Sequence, residues 1–191
     1  MGGMTGGPHQ SIWFTEGNKI IRRSASGEIT EISTPTPLAG AANITEGADG
    51  ALWFTETIAA KVARITEAGA FTEFDMPPGS QPDVIAAGGD GAVWFSEDIY
   101  PAVLRITTSG SVNSFRTSDL IGDIAPGRNN SIWYTLPNHG KIGRITNTVT
   151  EFGLPANCGL PVAPEGIVVD HNGNVWFTDL LNGQIVEAVG L

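Results

Sequence analysis

The chain has 191 residues, 41% of them hydrophobic, and a formal charge of −10. Clustered Lys and Arg are what a nucleic-acid partner needs, so this acidic balance excludes one; it would instead draw cations to an acidic cleft. No apolar stretch approaches the roughly eighteen residues of a membrane-spanning helix. The single cysteine, Cys158, excludes an intrachain disulfide.

Residues 1–10, opening MGGMTGG, read as an expression leader and are set aside from the fold. They hold no basic segment followed by an apolar one. That favours a soluble chain in the cytoplasm over a secreted one. From Ser11 onward one phrase recurs. It is Ile12-Trp13-Phe14-Thr15-Glu16, then Leu52-Trp53-Phe54-Thr55-Glu56, Val93-Trp94-Phe95-Ser96-Glu97, Ile132-Trp133-Tyr134-Thr135-Leu136 and Val175-Trp176-Phe177-Thr178-Asp179. Successive tryptophans are 40, 41, 39 and 43 residues apart. A period of about 41 residues points to a repeat array.

Each repeat reads as four short strands, A to D. In the second, strand A is 43–46, the Asp49-Gly50 turn leads to strand B at 51–56, strand C is 61–66 and strand D is 70–75. The third runs 84–87, 92–97, 103–107 and 112–115, and the fourth 123–125, 131–136, 141–146 and 149–152. The runs are short and rich in Ile, Val, Trp, Phe and Thr, which is strand chemistry. Strand B is apolar on both sides, Leu52 and Phe54 facing one way and Trp53 the other, as in a sheet sandwiched between neighbours. The fold class expected is therefore all-β, a β-propeller of about five four-stranded blades at 11–34, 43–76, 83–116, 122–153 and 165–191. The first blade lacks strand A unless the leader supplies it, and the last lacks strand D. Either five blades close with an unpaired edge, or the chain is a piece of a larger ring, or copies assemble; unpaired edges invite pairing, so homo-oligomerisation through the incomplete terminal blades is one expectation. The tryptophan series reads as inter-blade core.

The phrases Gly47–Glu56, Lys141–Thr146 and Gly69–Pro77 resemble the repeat of the streptogramin B lyases, also called virginiamycin B lyases, over essentially all of 11–191. By repeat style the NHL and gluconolactonase-like propellers are more distant relatives. The resemblance implies a propeller, seven-bladed in the lyases, where this chain has sequence for about five blades. It implies a carbon–oxygen lyase that opens a cyclic depsipeptide at its ester by elimination, with magnesium as cofactor. A base removes a proton α to a carbonyl, and the metal stabilises the charge that develops. In the family a histidine at the start of strand A is the base. A glutamate fourteen residues later, at the end of strand B, helps hold the magnesium. Here the strand-A positions are Ala42, Asp83, Gly122 and Glu165, so the expected histidine is absent. The strand-B carboxylate stands in four of five repeats, as Glu16, Glu56, Glu97 and Asp179.

The candidate bases are accordingly His139, in a B–C loop on the carboxylate face, and Asp83 and Glu165. His9 and His171 fall in A–B turns on the opposite face. The candidate metal ligands are Asp83 with Glu97 and Glu165 with Asp179, two pairs converging at the central mouth. Oxygen-only sets suit magnesium or calcium. The last blade reads Gln184-Ile185-Val186-Glu187 where earlier blades place Lys and Arg, so Glu165 and Asp179 lack cationic partners and rank as the better cation site. A purely structural reading instead pairs each strand-B glutamate with Lys61, Arg64 or Arg105 of strand C, or caps the B–C turn with it. Cys158 lies in the longest D–A loop, 154–164, which either forms one wall of a pocket or covers an edge. The partner expected is a small-molecule or peptide ligand at the mouth. The alternative to an enzyme is a non-catalytic propeller, a ligand-binding or self-assembling scaffold.

Overall fold

The computed structural model describes residues 2–155 and 161–189. Within them the chain forms five antiparallel sheets, one per repeat. Blade 1 holds β1 (Met4–Gly7), β2 (Ser11–Glu16), β3 (Lys19–Arg23) and β4 (Ile29–Ser33). Blade 2 holds β5 (Ala41–Glu46), β6 (Leu52–Glu56), β7 (Lys61–Ile65) and β8 (Phe71–Asp75). Blade 3 follows with β9 (Pro82–Ala87), β10 (Val93–Glu97), β11 (Ala102–Ile106) and β12 (Val112–Arg116). Blade 4 has β13 (Ile124–Pro126), β14 (Ile132–Leu136), β15 (Lys141–Ile145) and β16 (Val149–Gly153). Blade 5 has β17 (Pro164–Val169), β18 (Val175–Asp179) and β19 (Gln184–Ala188). The strands are ordered A-B-C-D across each sheet, and the A strands are neighbours from blade to blade. They form the inner wall of the array. No helix among the described residues is long and apolar enough to cross a membrane.

One expectation is corrected at the amino end. Residues 4–7 belong to the fold, since β1 pairs along β2 with Met4 opposite Phe14 and Gly7 opposite Ser11. Two glycines and a threonine gave this strand no apolar signature, but the ladder needs only backbone groups.

The repeated phrase is explained residue by residue. Leu52 and Phe54 point to blade 1, where they meet Trp13 and Ile20. Trp53 points to blade 3, where it packs with Val93 and Phe95. The same exchange joins Trp94 to Tyr134 and Trp133 to Phe177. On its own blade each internal tryptophan stacks on the strand-D phenylalanine, Trp53 on Phe74 at 5.5 Å, Trp94 on Phe115 at 5.1 Å and Trp133 on Phe152 at 5.9 Å. Its indole N–H donates to the A–B turn, to Asp49 at 3.0 Å and to Asp90 at 3.2 Å. An arginine of strand C lies over each of the first four rings. Trp13, Trp53, Trp94 and Trp133 are buried, but Trp176 is only half-buried, since among the described residues no further blade packs on that side of blade 5. In blade 4 the ring is Tyr134, and its hydroxyl fills the place a side chain at Gly143 would take. A Cβ there would lie 2.3 Å from that oxygen.

Candidate functional site

In blades 2, 3 and 5 strands A and B meet at one end through a bulge, visible as a register shift between Ala41 and Ile44 in β5, between Phe95 and Glu97 in β10 and between Pro164 and Ile167 in β17. A bulge leaves an N–H without a ladder partner. The strand-B hydroxyl accepts the N–H at this place in every blade: Gly3 N–H to Thr15 Oγ1 (2.8 Å), Asn43 to Thr55 (3.1 Å), Val84 to Ser96 (3.0 Å), Asp123 to Thr135 (2.9 Å) and Gly166 to Thr178 (2.9 Å). The same hydroxyl then donates to the next blade, Thr15 to the Ala42 carbonyl, Thr55 to Asp83 (2.8 Å) and Thr135 to Glu165 (2.7 Å). So the residues fourteen before the strand-B carboxylates are fixed through their backbones. Their side chains are left to line the mouth.

The strand-B carboxylates of blades 2, 3 and 5 are buried, whereas Glu16 of blade 1 is exposed. Glu97 accepts the Gln81 N–H at 2.8 Å, and Asp179 accepts the Ala163 N–H at 3.1 Å. Both donors sit in the D–A loop just before strand A. The expected pairing with strand C is therefore corrected. Arg64 and Arg105 bridge to Asp49 and Asp90 on the opposite face, and Lys61 to Glu73 and Asp75 of strand D. Asp179 is held by a neighbouring amide: Asn182 Nδ2 donates to it at 2.6 Å. Burial works against its charge, but Asn182 and the N–H groups of Ala163 and Leu181 hold its carboxyl below the ordinary value. Glu165 lies elsewhere, with Oε2 over Gly122. A Cβ on Gly122 would come within 2.8 Å of it. In blade 3, Asp83 Oδ1 accepts from Asn43 Nδ2 of blade 2 at 2.9 Å. Desolvation, then the charges of Asp83 and Glu97, push Asp98 up, so these three acids are electrostatic neighbours.

Glu56 is the exception. It is fully buried, and neither oxygen has a hydrogen-bond partner. Gly40 stands at the position of Gln81, but its N–H is directed to Asn18 Oδ1 at 3.4 Å. Burial, then Glu73, raise the Glu56 carboxyl to about 7, against the pull of Lys61. Leu136 fills the same place in blade 4 with no polar group to satisfy.

His139 stands on a short 3-10 turn, Pro137–His139, on the carboxylate face. Its Nδ1 is 2.8 Å from Asp119 Oδ2, in the D–A loop entering blade 4. The Leu120 N–H, then Asn138 and His139, hold Asp119 below its ordinary value. His9 lies on the opposite face against Glu67 at 3.0 Å. Two residues escaped the sequence reading. Asn43 ties blade 2 to blade 3. Asp123 accepts the Ile167 N–H at 2.9 Å and ties blade 4 to blade 5; burial raises its carboxyl while that bond and the Ile124 N–H lower it. Each is one residue past the position the spacing singles out. The described ends of the loop 154–164 do wall a cleft of about 520 Å³, with Leu154, Pro155 and Val162 facing Phe177 and Ile185. Cys158 lies outside the described residues.

The virginiamycin B lyase family matches residues 2–189. The chain belongs to that family. A streptogramin B lyase structure is 36% identical with a TM-score of 0.87, covering 96% of this chain and 62% of that one. Virginiamycin B lyase from Staphylococcus aureus is 32% identical with a TM-score of 0.86, covering 97% of this chain and 68% of the lyase. A catalytically inactive histidine-to-alanine variant of the Staphylococcus aureus enzyme, solved with quinupristin, is 36% identical with a TM-score of 0.86, covering 96% and 64%. This chain therefore spans between 62% and 68% of the length of these lyases. A Xanthomonas campestris gluconolactonase at 15% identity and TM-score 0.71 shares the fold. No curated protein sequence matches.

The family's magnesium can be tested against the residues present. Glu97 and Asp179 already accept backbone N–H groups, and among the described residues no three His, Cys, Asp or Glu side chains gather as a metal site. Magnesium demands near-octahedral oxygen. The set as arranged does not fit a metal held by protein groups.

Proposed function

We propose that this streptogramin B lyase-like propeller binds a peptide-like small molecule at the channel mouth. On this reading its own residues do not supply elimination at a lyase's rate. One observation carries it. The strand-A positions at the mouth hold Ala42, Asp83, Gly122 and Glu165, while the carboxylates of Glu97 and Asp179 are engaged by backbone. A mouth with fixed backbones and side chains that differ from blade to blade suits ligand recognition. Loss of a positioned base costs about a hundredfold to ten-thousandfold.

A second reading keeps a carbon–oxygen lyase activity carried by the chain's own carboxylates. It is favoured by the carboxylates of Asp83 and Glu165 standing where the family places its base. The α-proton would pass to the carboxylate as the ester C–O bond breaks, leaving an alkene and a carboxylate. Calorimetry and chromatography with a cyclic depsipeptide of the streptogramin B type, with and without magnesium, separate the two. Binding is expected, with turnover at least about a hundredfold below a lyase. Elimination leaves the product at the mass of the substrate, so it is distinct from hydrolysis. Fast linearisation lost in Asp83→Asn, Glu165→Gln or His139→Ala would establish the enzyme instead, and absence of binding would overturn both readings.

A further inference from the structure

Blades 1, 2 and 3 join strands C and D by five residues each, 24–28, 66–70 and 107–111, between the pairs Arg23–Ile29, Ile65–Phe71 and Ile106–Val112. Blade 4 pairs Ile145 with Val149 and so joins them by three, Thr146, Asn147 and Thr148. The longer turn has a packing role. In blade 3 it carries Gly110 against the strand-D phenylalanine of blade 2, so closely that a Cβ on Gly110 would lie 2.6 Å from Phe74 Cε1. Where the shorter turn stands, a cleft of about 490 Å³ lies between blades 3 and 4, and the strand-D phenylalanine Phe115 lines it. The cleft opens on the face opposite the carboxylates, between two blades inside the array and away from the outer faces of blades 1 and 5.

Blade 3 supplies the floor. Phe115 is half-buried, with the Trp94 ring 5.1 Å away. Arg105 lies over Trp94 and donates from Nε to Asp90 Oδ2 at 2.6 Å. Asp90 Oδ1 takes the N–H groups of Trp94 and Ala92. Among the described residues lining the cleft, Arg105 and Asp90 are the charged ones, and they cancel. The guanidinium keeps further N–H donors on its terminal nitrogens. Blade 4 supplies the walls. Asn129 and Asn130 both stand in the left-handed region, at φ 55° and 59°, which asparagine enters more readily than most side chains. Asn130 Oδ1 thereby reaches over to blade 3, where a Cβ on Gly89 would lie 3.1 Å from it. Blades 2 and 3 have Asp49-Gly50 and Asp90-Gly91 in this turn, with no carboxamide to offer. Thr146 and Asn147 of the short turn complete the wall, and all four of these blade 4 side chains are exposed.

An aromatic face, three carboxamides, a hydroxyl and a guanidinium, with no net charge, suit a neutral ligand that both gives and takes hydrogen bonds. A sugar ring has that chemistry, with C–H groups to lie on Phe115 and hydroxyls around its edge. The volume falls within the range of about 300–1,000 Å³ of small-molecule sites. We propose that the cleft between blades 3 and 4 binds a neutral saccharide of one or two rings, stacked on Phe115 and hydrogen-bonded by Asn129, Asn130, Asn147 and Arg105. This site is separate from the mouth and does not rest on the ligand reading given for it.

Saturation-transfer NMR and calorimetry on the full chain test it. The probes are the methyl glycosides of glucose, galactose and mannose, with maltose, cellobiose and lactose; acetate and N-acetylglycinamide are the charged and amide controls. At least one saccharide should bind with a millimolar Kd, and the controls more weakly. Asn130→Gly, which keeps the left-handed turn, and Asn147→Ala should each weaken binding about five- to tenfold. Replacing 146–148 by the five residues of the blade 3 turn should fill the cleft and abolish binding, with the fold checked by circular dichroism. Phe115→Leu takes its place if that exchange does not fold, and should also abolish binding. Asp83→Asn, at the mouth, should leave saccharide binding unchanged. No binding by any saccharide, tighter binding of a control, binding that survives the turn exchange or Phe115→Leu, or binding lost in Asp83→Asn would each overturn the proposal.

Discussion

At the junctions each of blades 1 to 4 turns a tryptophan toward the next blade, and three of those rings stack on a phenylalanine of their own strand D. At the mouth the strand-A positions hold Ala42, Asp83, Gly122 and Glu165. The junction has to bury apolar surface and close hydrogen bonds the same way every time, so its residues recur. The mouth side chains close no repeated bond, because the strand-B hydroxyl already holds the backbone beneath them. Where junction chemistry lapses, as at Glu56, the lapse shows as a buried group without a partner.

Four measurements would break or sharpen this contrast. The largest effect belongs to the junction. Trp94→Ala removes a buried ring stacked on Phe115 and hydrogen-bonded to Asp90, and should cost about 3–5 kcal/mol by denaturant melt. Trp176→Ala, on a half-buried ring, should cost clearly less. Equal losses would mean that packing by the next blade does not set the stability.

Glu56 comes next. Its carboxyl titrates at about 7 in the folded chain and near 4.3 when unfolded. Between those values the folded state holds a proton that the unfolded state has lost, so stability falls as pH rises and is fully reduced above about 7. The loss should approach about 3 kcal/mol. Glu56→Gln should therefore raise the melting temperature at pH 8 and leave it nearly unchanged at pH 4. A variant no more stable than wild type at pH 8 would show that Glu56 has a partner in solution.

Gly122→Ala tests the mouth. Its Cβ would lie 2.7 Å from Pro137 Cγ and 2.8 Å from both Glu165 Oε2 and Thr135 Oγ1. Overpacking of this kind costs about 1–3 kcal/mol. It should also displace Glu165, so ligand binding should weaken with stability. The smallest effect is Asn43→Ala, which removes the 2.9 Å bond to Asp83 and should cost about 1 kcal/mol in a thermal melt. A much larger loss would place Asn43 with the junction rather than the mouth.

The forty-residue spacing of the tryptophans and the two-sided apolar pattern of strand B were enough to read out the blades and their mutual packing, because both features come from side chains that must be buried in every repeat. Strand β1 was invisible, since Met4-Thr5-Gly6-Gly7 contributes backbone and no pattern. The spacing of fourteen residues singled out Asp83 and Glu165. It was silent on what they touch, because the blade-to-blade bonds fall to Asn43 and Asp123, one residue further on. The strand-B acids were legible as a series. Only the tertiary structure decided that Glu97 and Asp179 hold loop N–H groups while Glu56 holds none, since that depends on where the D–A loop carries each N–H across a turn some sixteen residues away. Sequence determines which residues must be buried together; the directions of individual donors and acceptors are set when the chain closes around them.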